Sequence, residues 1–278
     1  MHPLDQRIKL PSHVAYVRWG FPSPLVSIQW DLCIVLDPGE AVGEYLALFN
    51  GTIDGSQFYL GLQTDVSHPG AHRGIGKGLI FSTWWSFDAS DSRIAEDGFV
   101  EKGTHEGKFI GVRRPYRWST GNYRVTLTRS EAEAVAGSTR DWFDLYIEPI
   151  GEAQAESAGA DAAHADPRGR ATWIGGLRFP RLDAAVPARV EPGGLLFLEI
   201  YSGARTWAEV EPWRVTVSAA GDGEPCREIT TEYTSFPFGQ KMPNVNARYD
   251  ADMHGVELAI GPEVIQRDPP GRWEWVSG

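Results

Sequence analysis

Tyr123-Arg-Val-Thr-Leu-Thr-Arg129 puts Tyr123, Val125 and Leu127 on one side of an extended chain and Arg124, Thr126 and Thr128 on the other. A period of two is the mark of a half-buried strand, because successive side chains leave a pleated backbone in opposite directions. Trp213-Arg-Val-Thr-Val217 and Val256-Glu-Leu-Ala-Ile260 repeat it. Further strands are expected at 13–19, 25–36, 44–50, 57–64, 78–85, 109–113, 141–150, 171–179, 195–201 and 227–233. Strands so closely spaced, with Gly and Pro turns between them, predict an all-β fold: an antiparallel β-sandwich of jelly-roll or concanavalin-like type. Helical signals are scarce. Ser130 to Ala136 has helix-forming composition, but Gly137 stops it within two turns.

The chain is expected to form one domain, 1–278, since sandwiches of this length often fold as a unit. Residues 152–170, EAQAESAGADAAHADPRGR, carry almost nothing apolar and cannot offset their ordering entropy. They are read as a mobile insertion joining two paired strands.

With 26 basic against 37 acidic residues the net charge is −11, which argues against nucleic acid as partner, because the average field repels polyanions. No apolar run is long enough to span a membrane. The N-terminal MHPLDQRIKL lacks the basic and apolar regions of a secretory signal, so a cytoplasmic location is expected unless a signal was removed. Cys33 and Cys226 alone build neither a disulfide framework nor a zinc site. Cys33, in the apolar run Leu32 to Leu36, is expected to be an inert core thiol.

Catalytic and metal motifs fail on inspection. Gly74-Ile-Gly-Lys-Gly78 precedes a strand rather than a helix and is read as a hairpin loop. His105-Glu106 lacks the second histidine of a zinc-protease helix, and His68 and His72 lack a third ligand. Asp250-Ala-Asp252-Met-His254-Gly255 opens like a calcium loop but has Gly261 where the bidentate glutamate belongs, so a hairpin turn is expected. No Gly-x-Ser-x-Gly elbow occurs. No metal and no cofactor is called for.

Aromatic residues interleaved with carboxylates remain. Ring faces stack on the apolar side of a pyranose, and carboxylate, amide or guanidinium groups take its hydroxyls. Trp84 and Trp85 are adjacent, so on one strand they face opposite ways and one leaves the core. Glu199, in Leu-Phe-Leu-Glu-Ile-Tyr, is a carboxylate among apolar residues and has to be paired, with Arg113 or Arg178 as the structural alternative. Trp142 and Trp213, in regular strands, are assigned to the core.

The order Phe58-Tyr-Leu-Gly-Leu-Gln63, Phe81-Ser-Thr-Trp84, Glu106-Gly107, Tyr116-Arg-Trp118-Ser-Thr-Gly121-Asn-Tyr123 and Phe197-Leu-Glu199 resembles a bacterial family known only as a domain of unknown function. The resemblance covers roughly 57–201 and implies a β-sandwich, often exported and sometimes beside carbohydrate-related modules. No activity comes with it. Its recurring polar and aromatic positions match Gln63, Trp84, Glu106, Tyr116, Trp118 and Glu199.

The expected ligand-binding set is therefore Gln63, Trp84, Trp85, Glu106, Arg113, Tyr116, Trp118 and Glu199, for a carbohydrate or similarly hydroxyl-rich ligand. Three readings stay open: a lectin-like binding protein, a glycan-cleaving enzyme with Glu106 and Glu199 as its acid and base, and a structural module whose tryptophans are all core.

Overall fold

Ile28, Trp30, Leu32 and Ile34 of one strand are buried while the residues between them are not, and the same alternation runs through the strands on either side. A face this apolar has to be covered. In the computed structural model, which describes residues 3–66, 75–104, 107–130, 138–151, 171–233, 244–264 and 267–274, a second sheet covers it.

The strands are β1 (Ser12–Gly20), β2 (Ser27–Leu36), β3 (Gly43–Ile53), β4 (Ser56–Gln63), β5 (Gly78–Thr83) and β6 (Ser92–Ile94). There follow β7 (Phe99–Gly103), β8 (Phe109–Pro115), β9 (Gly121–Arg129), β10 (Arg140–Pro149), β11 (Thr172–Pro180) and β12 (Gly193–Ser202). The last are β13 (Trp213–Gly221), β14 (Glu224–Pro225), β15 (Glu228–Glu232), β16 (Val245–Asp250), β17 (Gly255–Ile260) and β18 (Arg272–Glu274). The helical elements among the described residues are three short 3-10 turns, and no helix there is long and apolar enough to cross a membrane.

One sheet runs β18-β15-β1-β12-β3-β4-β5-β8-β7, the other β16-β17-β13-β2-β9-β10-β11-β6 with β14 appended to β13. All their pairings are antiparallel, and one continuous core from Val14 to Ile260 fills the space between the sheets. The fold is an all-β sandwich. Strands β10 and β11 pair as the hairpin expected around 152–170, a segment that lies outside the described residues, as does nearly all of the short helix expected at 130–136. The Asp250 loop is a hairpin turn, with Asp250 Oδ1 accepting from the N–H groups of Asp252 and Met253 at 3.0 and 3.1 Å.

Two expectations about the core are corrected. Trp142 stands on the outer face of its sheet, half-buried, with the guanidinium groups of Arg93 and Arg178 4.7 and 5.4 Å from its ring centroid. Cys33 also faces outward and is only partly buried, because Leu32 and Ile34 take the inward positions of β2. Trp213 does lie in the core, stacked on Trp118 with ring centroids 5.3 Å apart.

The first sheet departs from simple alternation. From Gly43 to Phe49 β3 is buried at every position, and so is all of β5. Leu46, Leu48 and Phe81 face the inter-sheet core, whereas Tyr45, Ala47, Ile80 and Phe197 belong to a second cluster on the opposite face. A strand apolar on both faces has both faces covered. One other residue is out of place: Glu44 points inward with its side chain fully buried, and neither carboxyl oxygen has a well-aligned hydrogen-bond donor among the described residues. Burial first, and then the charge of Glu211, push its pKa well above the ordinary carboxyl value, and the nearby Glu211 N–H offsets only part of this.

Candidate functional site

The second apolar cluster floors a groove of about 590 Å³ on the outer face of the first sheet. That volume is typical of sites for small ligands. Its lining comes from β1, β12, β3, β4, β5, β8 and β7, which are consecutive in the sheet. At the usual strand spacing, these seven strands span about 29 Å. The antiparallel register sets His13, Glu199, Tyr45 and Gln63 side by side in one row across four strands. The next row holds Phe197, Ala47, Gly61, Ile80 and Arg113. The small Ala47 and Gly61 keep the middle low. Gly61 has to be glycine, since a Cβ there would lie 2.0 Å from the Leu46 carbonyl oxygen.

At one end, the His13 ring stacks on Phe197 at 4.3 Å, and Tyr45 meets Phe197 edge-on at 5.8 Å. Burial, with the Glu199 carboxylate adding, pushes the Tyr16 phenol up to about 12, so it stays protonated at neutral pH. Its hydroxyl hydrogen-bonds His13 Nδ1 at 2.7 Å, and His13 Nε2 faces Glu199 Oε1 at 3.6 Å. Tyr201 donates to the Asp65 carbonyl at 2.7 Å, and burial followed by the Asp65 charge raises its pKa as well.

At the other end, Arg113 spans β5 to reach Gln63, donating from Nη1 to Oε1 at 3.0 Å, while Nη2 pairs with Glu101. Both arms of the guanidinium are thus engaged. Trp84, just past β5, packs against Tyr59 with centroids 4.8 Å apart. Trp84, Tyr59, Tyr45, Phe197, Phe109 and Tyr201 are therefore six aromatic rings along one cleft.

Of the residues expected from sequence, Gln63, Trp84, Arg113 and Glu199 meet in this groove. Three do not. Trp118 is in the inter-sheet core, 1 % exposed, its indole N–H donating to the Gly78 carbonyl at 3.3 Å, with Lys77 Nζ 4.4 Å from its ring centroid. Tyr116 packs against the same core and meets Tyr123 edge-on, and burial pushes its phenol up to about 12. Trp85 is exposed but stands outside the groove, with the Arg140 guanidinium 5.6 Å from its centroid. Glu106 lies outside the described residues, as do His68, His72 and His105. The two arginines weighed as partners for Glu199 pair elsewhere, Arg113 with Glu101 and Arg178 with Asp91, because their strands lie far across the fold from β12.

The sequence reading missed His13, Tyr45, Tyr59, Asp65, Glu101, Phe197 and Tyr201 as groove residues. A signal for some of them was present: Tyr45-Leu-Ala-Leu-Phe49 and Leu195-Leu-Phe-Leu198 are apolar on both strand faces, which marks sheet surface covered on its outer side. Among the described residues no three His, Cys, Asp or Glu side chains are grouped to hold a metal ion. A scan of the chain against protein-family models and a search of curated proteins both find no match.

Proposed function

We propose that this protein binds a carbohydrate, or a similarly hydroxyl-rich ligand, in the groove on the outer face of its first sheet. The observation that carries the reading is one cleft of about 590 Å³ in which the partly exposed rings of Tyr59, Trp84 and Tyr201 meet Gln63, Glu199 and the Arg113–Glu101 pair over a buried floor of Tyr45, Phe109 and Phe197. Such a cleft offers apolar ring faces for stacking and fixed polar groups for hydroxyls. Three of the positions matched by the family resemblance, Gln63, Trp84 and Glu199, lie in it.

A glycan array followed by titration calorimetry, with tryptophan fluorescence as a second readout, tests the proposal. Trp84→Ala is expected to weaken binding about tenfold or more, in line with loss of a stacking platform, and to leave the unfolding midpoint nearly unchanged because Trp84 is only half-buried. Absence of binding to every glycan, with fluorescence unmoved, would overturn it.

A further inference from the structure

The charges in the groove are unequal. Its described lining has three carboxylates, Asp65, Glu101 and Glu199, against one guanidinium, Arg113, so with neutral His13 the balance is +1 − 3 = −2. Arg113 is held by Gln63 and Glu101, with Nη1 donating to Gln63 and Nη2 paired with Glu101. Once that pair is set aside, the uncompensated charge belongs to Glu199 and Asp65, at the end lined by Tyr45, Phe197 and Tyr201. Glu199 is adjacent to Tyr45 in the strand register, and Asp65 is tied to Tyr201 through its backbone carbonyl. Carboxylates beside phenol and phenyl rings form an environment that attracts an ammonium group, by charge and by the ring quadrupole. Among the described lining residues an acidic sugar would meet two carboxylates and a single guanidinium already paired with Glu101, and the net charge of −11 opposes its approach.

We infer that the groove selects amine-bearing saccharides, of the glucosamine type, over neutral ones and excludes uronic-acid glycans. This rests on the reading of the groove as a glycan site. The ammonium sits at the Glu199 and Asp65 end, and the remaining rings of the oligomer run toward Tyr59 and Trp84.

The test compares three oligosaccharide probes by calorimetry on the full chain at neutral pH, the condition for which the groove balance is drawn: oligoglucosamine, its fully N-acetylated counterpart and oligogalacturonate. Oligoglucosamine is expected to bind about tenfold or more tighter than the N-acetylated probe and to weaken with added salt, as a charge contact exposed to solvent does. Oligogalacturonate is expected not to bind. Glu199→Gln should narrow the amine preference, and Asp65→Asn, on a loop rather than in the sheet, asks the same if that variant folds poorly. Equal binding of the amine and N-acetylated probes, or binding of oligogalacturonate, would overturn the charge selection and leave a glycan groove standing. Failure of all three probes would overturn the amine selection, while the glycan reading itself falls only if the array also shows no binding.

Discussion

The fully buried Glu44 makes a quantitative prediction for Glu44→Gln, a change that keeps the shape and removes the charge. Burial and the Glu211 charge raise the Glu44 pKa in the folded protein well above 4.5. Over the pH range between the unfolded and folded values, the native state therefore holds a proton that the unfolded chain has released. The unfolded state binds fewer protons there, so stability falls as pH rises. The slope approaches 1.4 kcal/mol per pH unit, the free energy of one unit of pKa displacement. Below the window, wild type and Glu44→Gln differ only by a pH-independent offset of about 1–3 kcal/mol, from amide hydrogens without acceptors. Inside it, the variant gains on wild type by about 1.4 kcal/mol for each unit of pH, while every other titrating group cancels in the comparison. For a chain of this size that corresponds to a midpoint difference growing by roughly 2–3 °C per pH unit. Urea denaturation or thermal melts of both proteins at several pH values from mildly acidic to neutral measure it directly. Profiles that run parallel would refute the reasoning, because they would mean that Glu44 is solvated or paired in the native state. Glu211→Gln should shorten the pH window over which the wild-type stability falls but not abolish it, since the Glu211 charge is only the second cause of the shift.

Three further outcomes are expected. Trp118→Ala should destabilise by about 3–5 kcal/mol through the cavity left beside Trp213, and a change near zero by denaturation would return Trp118 to the ligand-binding set. Arg113→Ala should cost about 3 kcal/mol, because it strands the largely buried Glu101 carboxylate as well as Gln63, and Glu101→Gln in the same background should recover part of the loss. Burial pushes the Cys226 thiol up to about 12, so a thiol reagent near neutral pH should label Cys33 in the folded protein and Cys226 only after denaturation. Equal labelling rates would contradict the burial of Cys226.

Most strands were legible because one face of each is buried and the other is not, so composition alternates along the chain. That is how Ser27–Leu36, Gly121–Arg129 and Trp213–Gly221 announce themselves. The strands that escaped, Ser92–Ile94, Phe99–Gly103, Glu224–Pro225, Val245–Asp250 and Arg272–Glu274, are short or lie toward the sheet margins, and short or one-sided burial leaves no long periodic run. The divergence of Trp84 and Trp85 was readable, but the reason differs from the one expected. The strand ends at Thr83, and the chain beyond it sends Trp84 into the groove and Trp85 to the surface beside Arg140. Trp118 misled because it sits in no regular strand. Its short loop turns back, with its N–H donating to the Tyr116 carbonyl at 2.9 Å, and the ring goes inward to Trp213.

Local sequence was enough to determine an all-β sandwich, the acidic balance and the existence of aromatic and carboxylate residues beyond what a core requires, since each depends on neighbouring residues or on simple sums. Only tertiary structure decided which of them meet. His13, Glu199, Tyr45 and Gln63 form one row because β1, β12, β3 and β4 lie side by side in a particular register, although they are far apart in the chain. A shift of one residue in any of those pairings would turn that strand's side chain from the groove to the core. The register is held by the packing of the whole sandwich, and a single strand read alone does not contain it.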